Sequence, residues 1–200
     1  MAAYANGLFI SRSGKGIPYG AGPRDNGDFN HGFKNLKGNL DLISEIPELK
    51  SDPALLNLVY NINHEETGLL SIGCLSSPVV DEGRGYRVTG YIEFAFNSVA
   101  GIEDAANYFP IFFHFDQDLH VSNFPHRVQF SWEIEGAHFA EANAGGFTMA
   151  ITINTDFYPS QAEANEAWDA ALGRLSDYLA SVPYIDNSAR LYPREEAKAA

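Results

Sequence analysis

Four side chains that could take part in metal or proton chemistry occur at every second position of one segment. They are His114, Asp116, Asp118 and His120. In an extended strand, residues of the same parity point to the same side, so this spacing predicts that all four share one face. The His-x-Asp spacing of His114 and Asp116 is also found in iron sites built from two histidines and one carboxylate. We therefore consider a divalent-metal site with His114, Asp116 and His120 as candidate ligands.

The second histidine of such a site is left open by the sequence. His120, His126 and His138 could each supply it. The alternation also has a simpler interpretation, because a strand with one wet face places polar residues at every second position without any ligand.

Further carboxylates are predicted on the neighbouring strands. Glu133 and Glu135 share a face of one strand, and Tyr91 and Glu93 share a face of another. Paired carboxylates with a histidine could perform general acid-base catalysis. The candidate catalytic residues are His114, Asp116, Glu133 and Glu93. The candidate binding residues are Asp116, Asp118, Glu133, Glu135 and Tyr91.

Several common site types have no support in the sequence. Ser13-Gly14-Lys15-Gly16 lacks the glycine spacing of a phosphate loop and the Ser or Thr that must follow its lysine. The single cysteine, Cys74, excludes an internal disulfide and the zinc sites that need several thiolates. The sequence thus contains no nucleotide motif and leaves the cofactor open, with a divalent metal as the candidate.

Charge is distributed unevenly along the 200 residues. The chain carries a formal net charge of −13, and the segment from Val88 to Gly173 has twelve acids but one base, Arg127. Direct nucleic-acid binding is disfavoured, because neutralising phosphates requires clustered Lys and Arg. A surface of one sign attracts basic proteins or cationic ligands instead.

Hydrophobic periodicity predicts an α+β fold. Apolar residues alternate in about five segments, beginning near Leu8 and ending near Ile153, and residues 111–121 are interpreted as one of these strands. Asp52-Pro53 indicates the start of a helix, although a strand over residues 56–63 is the alternative. Ser160 and Glu163 form a capping-box pattern before a second, longer helix.

These elements predict a single two-layer domain. We expect an antiparallel, meander-like sheet of about five strands, covered on one face by the C-terminal helix. The domain is expected to span residues 1–186, with a glycine-rich loop or arm at 11–38 and a polar tail at 187–200. Neither a signal peptide nor a membrane span is recognised, so a cytoplasmic protein is expected.

Two functions fit this description. The first is an acidic interaction protein, similar in its physics to an inhibitor, immunity protein or charge mimic, that docks a basic partner through the polar sheet face. The alternative is a small enzyme or ligand-binding protein that uses the His and carboxylate residues of the same face, with or without a metal. The sequence does not predict an oligomeric state.

Overall fold

The structure is a computed structural model that describes residues 4–23, 29–185 and 188–192. The chain forms seven strands within this part. They are β1 (Ala5–Ile17), β2 (Gly22–Pro23), β3 (Phe29–Asn30), β4 (Leu69–Asp81), β5 (Gly85–Phe96), β6 (Val128–Phe139) and β7 (Ala144–Thr155). The α-helices are α1 (Pro53–Ile62), α2 (Val99–Ile102), α3 (Phe109–Val121) and α4 (Gln161–Ala180). Short 3-10 turns occupy Leu40–Glu45, Pro47–Leu49 and Ala105–Tyr108.

The main sheet has five strands in the order β1-β6-β7-β5-β4. The predicted α+β class, the five strands and the C-terminal helix are confirmed. The prediction of a purely antiparallel meander is wrong, because β1 runs parallel to β6 while the other neighbours are antiparallel. A parallel pair needs a long crossover, and here all the intervening strands and helices separate β1 from β6 along the chain.

Helix α3 replaces the strand that was expected over residues 111–121. Its buried residues are Ile111, Phe112, Phe115 and Leu119. These lie at helical spacing, whereas the strand interpretation required Phe113 to be buried, and Phe113 is 59% exposed. Pro110 in the first turn also suits a helix start.

The capping signals at the other two long helices are confirmed. The Asp52 carboxylate accepts a hydrogen bond from the Leu55 backbone N–H at 2.9 Å, and Pro53 opens α1. Ser160 and Glu163 form a complete capping box at the start of α4. Trp168 of α4 donates to Asp52 at 2.8 Å, so the cap of α1 also joins the two helices.

One face of the sheet is packed under helices, and we call the opposite one the outer face. The ring of Phe115 in α3 lies 5.2 Å from that of Phe130 and 5.4 Å from that of Trp132. Helix α4 packs on β5, β6 and β7, and α1 packs on α4 and β4. The even-numbered residues of β6 from Val128 to Ile134 are buried here, so the odd-numbered residues between them lie on the outer face.

The glycine-rich stretch and the tail differ from simple loops where the structure describes them. Residues 11–17 continue β1, with an irregular pairing between Ile10 and Gly14. In the expected tail, residues 188–192 are described, and Leu191 and Tyr192 are each only 3% exposed. Asn97 exchanges two hydrogen bonds with the Tyr192 backbone, at 2.9 and 3.1 Å, which fixes this segment to the end of β5. Residues 193–200 lie outside the described part.

Candidate functional site

Strand register brings four of the candidate residues onto the outer face. Glu93 of β5 and Glu133 of β6 both pair with Ala150 of the strand between them. Neighbouring strands are about 4.8 Å apart, so these two glutamates lie in one row at a backbone separation of roughly 10 Å. Glu135 and Tyr91 occupy the adjacent rows of the same face, opposite Thr148 and Thr152 of β7.

A lysine that the sequence did not single out crosses this face. Lys15 of β1 places its Nζ 2.8 Å from Glu93 Oε1 and 2.6 Å from Glu135 Oε2. Ser13 donates a further hydrogen bond to Glu135. The irregular pairing of β1 precedes Lys15, which pairs with Ala137 of β6, and the side chain reaches past β6 and β7 to Glu93 of β5. Two of the predicted acids are therefore ion-paired.

The pKa values of this cluster follow from burial and charge. Burial alone lowers the pKa of Lys15, but the charges and hydrogen bonds of Glu93 and Glu135 outweigh it and raise the pKa above its ordinary value. Burial alone raises the pKa of Glu135, but the bonds from Lys15 and Ser13 and the lysine charge leave it lowered. Both groups are thus held in their charged forms at neutral pH.

The three glutamates differ in how far a partner can reach them. The side chain of Glu93 is 8% exposed and that of Glu135 is 22% exposed. Glu133 is exposed, and no ion pair within the described residues involves it. Among the described residues, Glu133 is therefore an accessible carboxylate of the outer face without an ion pair, and the polar residues Ser131 and Gln129 precede it on the same face of β6.

The segment with the alternating histidines does not contribute to this face. Because it forms helix α3, His114, Asp116, Asp118 and His120 belong to the helical layer and do not share one side. The prediction that they line the sheet with Glu93 and Glu133 is wrong. Over so short a segment, a polar residue at every second position is compatible with either a strand or a helix. The burial of Phe112 indicates the helix, but that burial is known only from the packing.

The two aspartates of α3 have structural partners. Asp116 accepts a hydrogen bond from Asn6 at 3.1 Å, and Asn6 accepts one from the Trp132 indole at 2.7 Å. Asp118 receives Arg174 of α4, with Nη2 at 2.7 Å and Nε at 2.6 Å from its two oxygens. These contacts join α3 to β1 and to α4.

The proposed metal ligands are not assembled into a site. Across residues 4–23, 29–185 and 188–192, no group of three or more His, Cys, Asp or Glu side chains has a geometry that could hold a metal ion. His114 lines an open groove of about 430 Å³ between α3 and the segment after α4, together with Tyr178, Pro183 and Ile185. His126 instead packs against the ring of Phe124 at 5.6 Å.

A buried lysine lies outside the acidic segment and was also missed. Lys37 is 3% exposed, and its Nζ donates to His64 O, Thr67 O and Thr67 Oγ1 at 2.6 to 2.7 Å. Burial, followed by the nearby Arg190 charge, lowers the pKa of Lys37 to about 7. The three oxygen acceptors give Lys37 a structural task, because they hold the turn that follows α1.

Comparisons with known proteins do not assign the chain to a class, so the class of protein has to be inferred from the geometry. No family model, curated protein or solved structure matches it. None of the helices in the described part is both long enough and apolar enough to cross a membrane.

Proposed function

We propose that the protein is an interaction protein that docks a basic partner through its outer face. The observation that carries this proposal is the position of Glu133. It is an exposed carboxylate without an ion pair among the described residues, and it lies on β6, next to the edge strand β1, in a sheet whose opposite face is already packed under helices. An accessible charge on a broad sheet surface is suited to contact with another macromolecule.

The placement of His114 supports docking over catalysis. Chemistry on the outer face required a histidine close to Glu133, and His114 lies in the helical layer on the other side of the sheet. The remaining acids of the face are engaged by Lys15. Glu133 is thus well placed to attract a cation, but no histidine of α3 is placed to exchange protons with it.

The net charge of −13 adds a long-range contribution to the same proposal. It attracts a basic partner from a distance and raises the association rate, while short-range contacts decide where the partner binds. Charge reversal at one exposed residue separates these effects, because each reversal changes the net charge equally wherever it is made.

The experiment compares Glu133→Lys with the matched variant Glu166→Lys. Glu166 is an exposed acid on α4, in the helical layer. The probe is a synthetic peptide with lysine at every second position, whose binding is followed by fluorescence anisotropy at several salt concentrations. We expect Glu133→Lys to weaken binding about tenfold and Glu166→Lys about twofold or less.

The outcomes distinguish a specific surface from general attraction. Equal weakening by both variants would overturn the assignment of the outer face, because it would show that net charge alone drives binding. A third variant, Asp118→Asn, tests the corrected interpretation of α3. It removes a carboxylate that pairs with Arg174, so it should leave peptide binding unchanged and lower the unfolding temperature slightly.

A further inference from the structure

The outer face ends in a cluster of arginines, although the chain as a whole is acidic. The guanidinium carbons of Arg84 and Arg87 lie 4.2 and 5.0 Å from the centre of the Phe157 ring. Arg127 lies beside the same segment, with its Nη2 at 3.4 Å from the Phe157 carbonyl oxygen. Three of the chain's thirteen Lys and Arg residues therefore meet around Phe157.

Two of these arginines are neutralised and one is not. Arg84 pairs with Asp81 at 2.7 Å, and Arg127 pairs with Asp156 at 3.0 Å. Within the described residues the side chain of Arg87 has no ion pair or hydrogen bond, and its Nε is shielded from solvent without a partner. A guanidinium is always charged and has five donors, so a sheltered one without an acceptor favours an added anion.

A cavity of about 390 Å³ lies beside Arg87, and we call it the arginine pocket. Its polar lining comes from Tyr4, Arg87, Arg127, Gln129, Asn154 and Asp156. Asn154 accepts a hydrogen bond from Thr89 through Oδ1 at 2.6 Å, which directs its amide oxygen to Thr89 and leaves the Nδ2 donor for another acceptor. The volume is within the range of small-ligand sites.

We propose that the arginine pocket binds the oxyanion group of a small molecule, a phosphate or a carboxylate. Arg87 supplies the charge and can bind two oxygens at once. The amides of Gln129 and Asn154 are neutral donors near it, and Asp156 stays engaged with Arg127. The proposal does not depend on docking at Glu133, because the pocket is built around the paired residues Gln129 and Asn154, which lie four residues along the strands from the pair of Glu133 and Ala150.

Titrations with three probes test this site and distinguish the two anion classes. The probes are inorganic phosphate, phenyl phosphate and benzoate, and binding is followed by backbone NMR shifts of the full chain at low salt. We expect saturable binding of at least one probe, with shifts concentrated at residues 127–129 and 154–157. Arg87→Gln should weaken it about tenfold or more, since it removes a charged bidentate donor.

The matched control is Arg12→Gln, which removes the same charge from an exposed position on β1. It should leave the affinity within about twofold, since a distant exposed charge is screened by salt. Arg87→Lys keeps the charge but lacks the paired N–H donors of the guanidinium, so it should bind the probes with intermediate affinity. Failure of all three probes to saturate would overturn the proposal. Equal binding by Arg87→Gln and the wild-type chain would overturn it as well. If Arg87→Gln loses binding, an otherwise unchanged NMR spectrum of that variant excludes misfolding as the cause.

Discussion

Replacing Lys15 by methionine should destabilise the fold through the two glutamates that it leaves behind. Lys15 is the cation within 2.8 Å of both Glu93 and Glu135. Glu93 is 8% exposed and cannot recover its hydration when the lysine is removed. The substitution keeps most of the aliphatic stem, so the lost quantity is charge rather than packing.

The size of the effect follows from the burial of the three groups. Removing one partner of a fully buried ion pair costs about 3–5 kcal/mol, and exposed pairs contribute about 0–1 kcal/mol. Lys15 is 27% exposed and Glu135 is 22% exposed, so solvent screens part of the interaction. We expect a loss of about 2–3 kcal/mol in the free energy of unfolding, which corresponds to about 1 M in the urea midpoint.

The pH dependence gives this prediction its sign. The lowered pKa of Glu135 means that its contribution is present above the unfolded pKa, about 4.3, and is lost as pH falls through the folded pKa. The raised pKa of Lys15 means that its contribution is present below about 10.4 and is lost as pH rises through the folded pKa. The difference in stability between the wild type and Lys15→Met should therefore be largest near neutral pH and shrink in acid.

Urea denaturation at pH 3, 5 and 7 measures this difference. The matched control is Lys34→Met, because Lys34 pairs with the more exposed Glu45 at 2.9 Å. This substitution should lower the free energy of unfolding by less than about 1 kcal/mol. A loss for Lys15→Met no larger than that of the control, or a loss that stays constant down to pH 3, would refute the reasoning.

Two further predictions concern packing and a buried charge. A Cβ at Gly90 would lie 2.7 Å from the Trp168 ring, so Gly90→Ala should lower the free energy of unfolding by about 3 kcal/mol. A Cβ at Gly173 in α4 meets nothing within 4 Å, so Gly173→Ala should raise the free energy of unfolding by about 1 kcal/mol. Urea midpoints of the two variants that move in the same direction would contradict this contrast. Because burial lowers the pKa of Lys37 to about 7, the lysine keeps its proton in the unfolded chain but loses it in the folded chain between pH 7 and 9.5. The free energy of unfolding of the wild type should therefore rise over this range relative to that of Lys37→Met. Parallel pH profiles in chemical denaturation would show that the three oxygens keep Lys37 charged.

Local signals predicted the parts of the fold whose causes are local. Asp52 and Ser160 accept hydrogen bonds from N–H groups three residues on, and this depends on residues adjacent in sequence. The outer-face positions of Glu93 and Glu133 likewise follow from strict alternation along two strands. Each of these features needed only the period of its own segment.

The errors concern contacts between distant segments. Lys15 belongs to a stretch rich in glycine, and only its place in β1 beside β6 brings it to Glu93. The α3 segment alternates in polarity over too few residues to exclude a strand, and Phe112 is fixed as a core residue by its contact with Trp132 at 5.8 Å. Sequence periodicity contains neither the strand order nor the side chains across a layer.

The outer face therefore carries separate negative and positive sites, which the number of acidic residues alone does not show. Lys15 compensates Glu93 and Glu135, whereas neither Glu133 nor Arg87 has an ion pair within the described residues. A net charge of −13 attracts any cation, but two separated charges of opposite sign on one face also orient a partner that contacts both of them. A partner that presents a basic group to Glu133 and an acidic group to Arg87 would bind in one orientation only. Exchanging the two charges, with Glu133→Arg and Arg87→Glu together, leaves the net charge unchanged and should abolish that orientation.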